Sequence, residues 1–221
     1  MRKYVFFIIF TINMRDILYI HGMGGGEDSR IPSILKMILP EGVRLTVRTY
    51  DFDPDIAREQ ILSWCNELKP CIIIGESLGS LQALRISGPI PKILVSPSLG
   101  APRWLNFYGW LCLIPGVSLL LGHIYKPTRP GRQRLHFSFK TLRKYPSHGK
   151  LALSADNPDV YAFFGKHDHY RKYGVVSLRL YRKYFGDSFE EYDGIHFMEE
   201  EFVESILLDR IVKTLERVKL S

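Results

Sequence analysis

Residues 71–80, CIIIGESLGS, constrain the fold more than any other stretch. Cys71, Ile72, Ile73 and Ile74 form a short apolar run, rich in β-branched side chains, that reads as a buried strand. From Leu78 the spacing becomes helical: Leu78, Leu81 and Leu84 recur on one face, with Gln82 and Arg85 between them. The chain must therefore turn from strand to helix within residues 75–79. Glycine permits such a turn because it tolerates positive φ and close backbone approach. Ser77 stands at the apex, with its hydroxyl expected to project from the fold. By chance alone, Gly-x-Ser-x-Gly arises in roughly one chain of this size in fifteen. A serine there can also simply cap the following helix. The motif needs its context.

That context is an alternation of apolar runs with helical patterns. Strands are expected at 16–20, 43–49, 71–74, 92–96, 160–164 and 188–192. Helices are expected at 29–39, 54–68, 78–87, 170–185 and 199–218, with a long, partly helical insert over 100–155. Strands alternating with helices predict an α/β fold: a mostly parallel central sheet of about six strands, flanked by helices on both faces. Right-handed crossovers fix most of its topology, and ligands of such sheets bind beyond the carboxyl ends of the strands. At 221 residues the chain reads as a single domain, 1–221, with the insert as a lid-like excursion.

The carboxyl ends carry polar chemistry. The first strand ends in His21-Gly22-Met23-Gly24-Gly25-Gly26, whose backbone N–H groups are free to meet developing negative charge. The strand at 160–164 ends in Gly165-Lys166-His167-Asp168-His169, and the last in Asp193-Gly194-Ile195-His196. Serine, acid and histidine thus follow three successive regions of the sheet in the order Ser, Asp, His, an order that strand-to-helix nucleophile turns employ.

With GESLG, HGMGGG, GKHD and GIHF in this order, residues 15–218 resemble a small α/β-hydrolase of the compact bacterial serine-esterase type. The resemblance implies that Ser77 is the nucleophile, His196 its base and later the acid to the leaving group, and Asp168 the orienting carboxylate. It further implies an oxyanion hole made by the backbone N–H groups of Met23 and Leu78. From the residues alone, Asp193 and Asp156 remain alternatives to Asp168, and His167 and His169 alternatives to His196. His21 reads as a packed residue beneath its turn. Glu76 reads as a solvent or helix-start carboxylate suited to the helix dipole.

Charge is unevenly placed. The net charge is +7, yet residues 120–185 hold fourteen Lys or Arg against three acids. This segment is either a solvated face or a surface for anionic substrate or lipid. Preceding it, the insert carries Trp104, Phe107, Tyr108 and Trp110, expected either to line a substrate pocket or to complete the core. The lid reading puts these aromatics near Ser77 and the bases around the entrance.

Three cysteines are too few for a disulfide framework, which favours a reducing, cytoplasmic setting. Residues 1–13 hold two bases and an apolar run resembling a short signal peptide, without a small-x-small cleavage site. Three readings follow: an export signal, an edge strand at 4–10, or a natural start at Met14. No dinucleotide, phosphate-loop or metal signature occurs, so no cofactor and no metal are expected. No nucleic-acid module accompanies the basic segment, which argues against nucleic-acid binding. The expected partner is a small-molecule ester or thioester, with contact to a membrane surface as an open option. The expected activity is ester hydrolysis through an acyl-enzyme. A silent binding protein of the same fold and an acyltransferase are its rivals.

Overall fold

The computed structural model describes residues 14–127 and 129–220, with side chains up to Val218. The readings made for residues 1–13 lie outside the described residues.

Six strands, β1 (Arg15–Ile20), β2 (Val43–Val47), β3 (Ile72–Glu76), β4 (Lys92–Val95), β5 (Val160–Gly165) and β6 (Phe189–Tyr192), form one parallel sheet in the order β2-β1-β3-β4-β5-β6. Period-two alternation divides their side chains between two cores. Leu18, Ile20, Ile73, Leu94, Ala162 and Phe164 face one side, where helices α2 (Pro54–Leu68), α3 (Gly79–Leu84) and α8 (Leu178–Phe185) contribute Ile61, Leu81, Leu84 and Tyr181. Ile17, Tyr19, Ile72, Ile74, Ile93, Val95 and Phe163 face the other. That side is covered by α1 (Arg30–Ile38) and by a C-terminal stretch of α9 (Glu200–Phe202), a π-helical turn (Val203–Leu207) and α10 (Leu208–Leu220). Both faces are covered over the four central strands, as a parallel sheet requires, while the edge strands β2 and β6 expose Arg44, Glu190 and Glu191.

The chain leaves β1 for β2 on one flank and returns to β3 on the other. The order of strands therefore reverses between β1 and β3, which opens a crevice at their carboxyl ends.

Several expected elements are shorter than their sequence patterns. The helix expected over 170–185 is instead a 3₁₀ turn (His169–Tyr173) followed by α8. Gly174 adopts φ 66° and ends the first piece, and the Ser177 hydroxyl accepts from Leu180 N–H to start the second. The helix expected to reach residue 87 stops at Leu84, ahead of the Gly88-Pro89 breaker.

The insert is not a lid throughout. Its helices are α4 (Ala101–Leu111), α5 (Val117–Ile124), α6 (Phe139–Leu142) and α7 (Tyr145–Leu153). Leu142, Tyr145 and Ala152 are buried in the first core beside α2 and α3, and the Tyr145 hydroxyl donates to Phe52 O at 2.8 Å. The later half of the insert thus completes the core, while α4 borders the crevice.

Two buried histidines make this packing sensitive to acid. His148 on α7 and His21 after β1 are 3 % and 0 % exposed. Burial pushes each from an ordinary 6.5 to about 4. The unfolded chain therefore takes up these protons at a higher pH than the native chain does. The stability these two residues contribute is fully present above pH 6.5 and is lost as pH drops toward 4. Each histidine contributes at most about 1.4 kcal/mol per pH unit within that window. Urea unfolding across this range is expected to give a shallower pH slope for His148→Leu than for the parent; an unchanged slope would contradict the assignment.

Candidate active site

The turn after β3 places Ser77 at φ 50°, a left-handed conformation that serine rarely adopts. Its N–H donates to Val95 O at 2.9 Å, and its own carbonyl accepts from Ser80 N–H at 3.2 Å and Ser98 N–H at 3.1 Å. The flanking glycines act by close approach rather than by positive φ, which falls on the serine itself. A Cβ on Gly75 would lie 2.8 Å from Ser80 Cα and 2.9 Å from Ala83 Cβ. One on Gly79 would overlap the carbonyl oxygens of Ile20 and His21, so α3 can sit against the end of β1 only without a side chain there.

Ser77, His196 and Asp168 are joined in one hydrogen-bonded chain. Ser77 Oγ lies 2.9 Å from His196 Nε2, and His196 Nδ1 lies 2.6 Å from Asp168 Oδ2. A carboxylate only accepts, so Nδ1 carries the proton and Nε2 accepts from the serine hydroxyl. The Asp168 side chain is fully buried; its second oxygen accepts from Tyr170 N–H at 2.8 Å. The edge of Tyr170 packs on the imidazole, with ring centroids 4.6 Å apart. On the far side, Arg30 Nη2 donates to the carbonyls of Phe197 and Met198 at 2.5 and 2.8 Å, holding the loop that carries His196.

The alternatives sit elsewhere. Asp193 pairs with His167 at 3.0 Å on the exposed surface, and Asp156 lies before β5, at the opposite end of that strand. His169 stacks on Tyr170. His21 stacks on Tyr50 with centroids 4.5 Å apart, its Nδ1 donating to Gly22 O at 2.8 Å, and so packs beneath its turn.

Glu76 departs from its expected role. It is half-buried rather than solvated, accepts from the Tyr19 hydroxyl at 2.8 Å, and burial raises its pKa. Ser98 is a residue that the sequence reading missed: its hydroxyl lies 3.0 Å from Ser77 Oγ. Its position, just past the carboxyl end of β4, was the available signal.

A pocket of about 870 Å³ opens above this chain of groups. Leu105, Tyr108, Tyr125, Val175, Ile195 and Phe197 supply much of its apolar wall, and Met23 and Leu78 border the serine. Among the described residues, neither the Met23 nor the Leu78 N–H donates to a protein acceptor. Of the four aromatics expected here, Trp104 and Tyr108 line the pocket. Phe107 and Trp110 do not: they are about half exposed, and Trp110 packs on Phe139 and under the Arg143 guanidinium. Both project from the outer face of α4, opposite the buried Leu105 and Gly109.

The expected ring of bases around the entrance is also corrected. Arg132 is the pocket's contribution from the basic segment, and it is bound to Asp28 at 2.9 Å. Lys144 pairs with Asp53 and Asp55, Arg171 with Glu191, and Arg182 with Asp187. No group of three or more His, Cys, Asp or Glu with metal-binding geometry occurs among the described residues.

No family model matches the sequence, and no curated protein matches it. Solved structures do. The Paleococcus ferrophilus monoacylglycerol lipase superposes with a TM-score of 0.61 at 17 % identity, over 93 % of this chain and 95 % of that one. Est1E of Butyrivibrio proteoclasticus, with ferulic acid bound, gives 0.61 at 16 % identity over 91 % of each chain. The enol-lactonase of Burkholderia xenovorans LB400 gives 0.56 at 16 % identity over 92 % of each. The chain has the α/β-hydrolase fold.

The glycine reading yields a direct check. Gly79→Ala is expected to cost about 1–3 kcal/mol in urea unfolding, because α3 must move off β1. Gly122→Ala, at an open helical position in α5, is expected to be neutral or mildly stabilising. Equal effects at the two sites would refute the close-approach account.

Proposed function

We propose that the protein is a serine hydrolase that cleaves carboxylic esters or thioesters through an acyl-enzyme. The reading rests on one observation, the hydrogen-bonded chain of Ser77, His196 and Asp168 opening into an apolar pocket. A serine hydroxyl is a weak nucleophile until an adjacent base takes its proton. As Ser77 Oγ attacks the carbonyl carbon, the proton passes to His196 Nε2, and Asp168 stabilises the imidazolium that results. Negative charge gathers on the carbonyl oxygen, where the N–H groups of Met23 and Leu78 are the proposed donors. Collapse of the tetrahedral species breaks the bond to the alcohol or thiol, which leaves with the proton from His196. Water, deprotonated by the same imidazole, then releases the acid and restores the serine.

The solved structures that share the fold include a monoacylglycerol lipase and an enol-lactonase, and both names describe ester chemistry. Trp104 and Tyr108 are proposed substrate contacts, suited to an acyl chain or ring by their apolar surface. A silent binding protein has no use for a buried aspartate aligned on an imidazole. Transfer to an acceptor other than water employs the same groups, and product analysis with added alcohol separates it from hydrolysis.

Ser77→Ala is expected to abolish labelling by a fluorophosphonate probe and to lower turnover of p-nitrophenyl esters by ~10⁴ to 10⁶. Full activity in a folded variant would refute the assignment.

A further inference from the structure

Residues 104–125 contain no Asp, Glu, Lys or Arg, and they are bracketed by Arg103 and Lys126. A stretch of that composition belongs in the core, yet here Leu105 is its one large side chain that is buried and much of the rest faces outward. Helix α5, VSLLLGHI, has no buried residue. Leu119 is 80 % exposed, Leu120 58 % and Ile124 59 %. The connection from α4 exposes Leu113 and Ile114, and the outer face of α4 adds Phe107 and Trp110. Contiguous exposed apolar surface on this scale marks a contact site.

Three observations indicate what it contacts. First, the patch is continuous with the mouth of the pocket through Trp104 and Tyr125, which line the one and belong to the other. Second, Trp104 also borders a separate groove of about 710 Å³ whose lining includes Arg103, Lys150, Arg179 and Lys183 and no acidic residue. Apolar side chains and tryptophans beside unneutralised cations match the boundary between acyl chains and anionic headgroups. Third, α4 and α5 are short, and among the described residues no helix is long and apolar enough to cross a membrane. Such elements can lie in an interface without spanning it. A second copy is a poorer occupant: a two-fold contact through this face would bring the same cations toward each other.

We propose that α4, the connection after it and α5 form a docking surface for anionic phospholipid bilayers, with the apolar side chains inserted and the groove cations on the headgroups. This surface is independent of the catalytic reading. Its test accordingly uses the full chain carrying Ser77→Ala, so failure of one leaves the other standing.

Cosedimentation with phosphatidylcholine–phosphatidylglycerol vesicles, compared with pure phosphatidylcholine, measures the docking. Binding is expected to favour the anionic vesicles and to weaken with added salt. Leu119→Asp with Leu120→Asp, at exposed positions that leave the core intact, is expected to lower partitioning more than tenfold. Arg179→Glu with Lys183→Glu is expected to lower it about tenfold or more on anionic vesicles and little on neutral ones. Brominated acyl chains are expected to quench tryptophan emission, and replacing Trp104 and Trp110 by Phe is expected to remove most of that quenching. Absence of vesicle binding overturns the proposal. So does binding that is indifferent to the leucine changes, or binding without quenching of these tryptophans. A concentration-dependent dimer that the leucine changes dissolve, with no vesicle binding, also overturns it and assigns the face to a second copy.

Discussion

The site hangs on the left-handed backbone of Ser77. At φ 50° the residue occupies a conformation that costs a non-glycine side chain of order 1–3 kcal/mol. The surroundings hold it there. Its N–H is fastened to Val95 O on the neighbouring strand, and α3 starts so close to β1 that position 79 has no room for a Cβ. Relaxing φ would break the first contact and lift the helix from the second. Strain at one residue is thus offset by packing of the two strands on either side of the crevice, and the hydroxyl is fixed above the sheet.

The sheet order does the rest of the positioning. Because the strands run parallel, the loops after β1, β3, β5 and β6 all emerge at the same edge, and the reversal between β1 and β3 leaves that edge open. Ser77, Asp168 and His196 come from three of those loops, and the glycine-rich turn at residues 22–26 from the fourth. Asp168 is fully buried, so solvent screens its pairing with His196 little. Side chains from the neighbouring helical elements hold this arrangement in place. Arg30 ties down the His196 loop from α1, and Tyr170 covers the imidazole from the 3₁₀ turn.

The insert divides by chemistry. Its later half offers Leu142, Tyr145 and Ala152 to the sheet and is absorbed into the core. Its earlier half holds a long run without charge whose outward residues stay half or more exposed. An uncharged segment on the outside of an otherwise charged molecule costs solubility, and an advantage at an interface is what would offset that cost. Of the bases expected at the pocket entrance, Arg132 reaches the pocket and is paired with Asp28, and several that have no acid partner among the described residues gather in the groove beside this segment.

The sequence by itself determined the alternation of strands and helices, and with it the parallel sheet, because burial on both faces demands continuous apolar runs separated by helical periodicity. It also located Ser77, Asp168 and His196 at carboxyl ends, since polar residues just after an apolar run have nowhere else to lie. Only the tertiary structure decided which acid meets which histidine. Asp168 and Asp193 are both available along the chain, the second as an alternative to the first, and their different partners follow from strand spacing and loop path. The same holds for Ser98, whose approach to Ser77 joins the ends of two adjacent strands, and for Glu76, whose partner Tyr19 lies on β1. It decided the aromatics too. Trp104 and Tyr108 turn toward the pocket while Phe107 and Trp110 turn away, because a helix lays only one stripe against the cleft, and the phase of that stripe is set by where Leu105 and Gly109 pack.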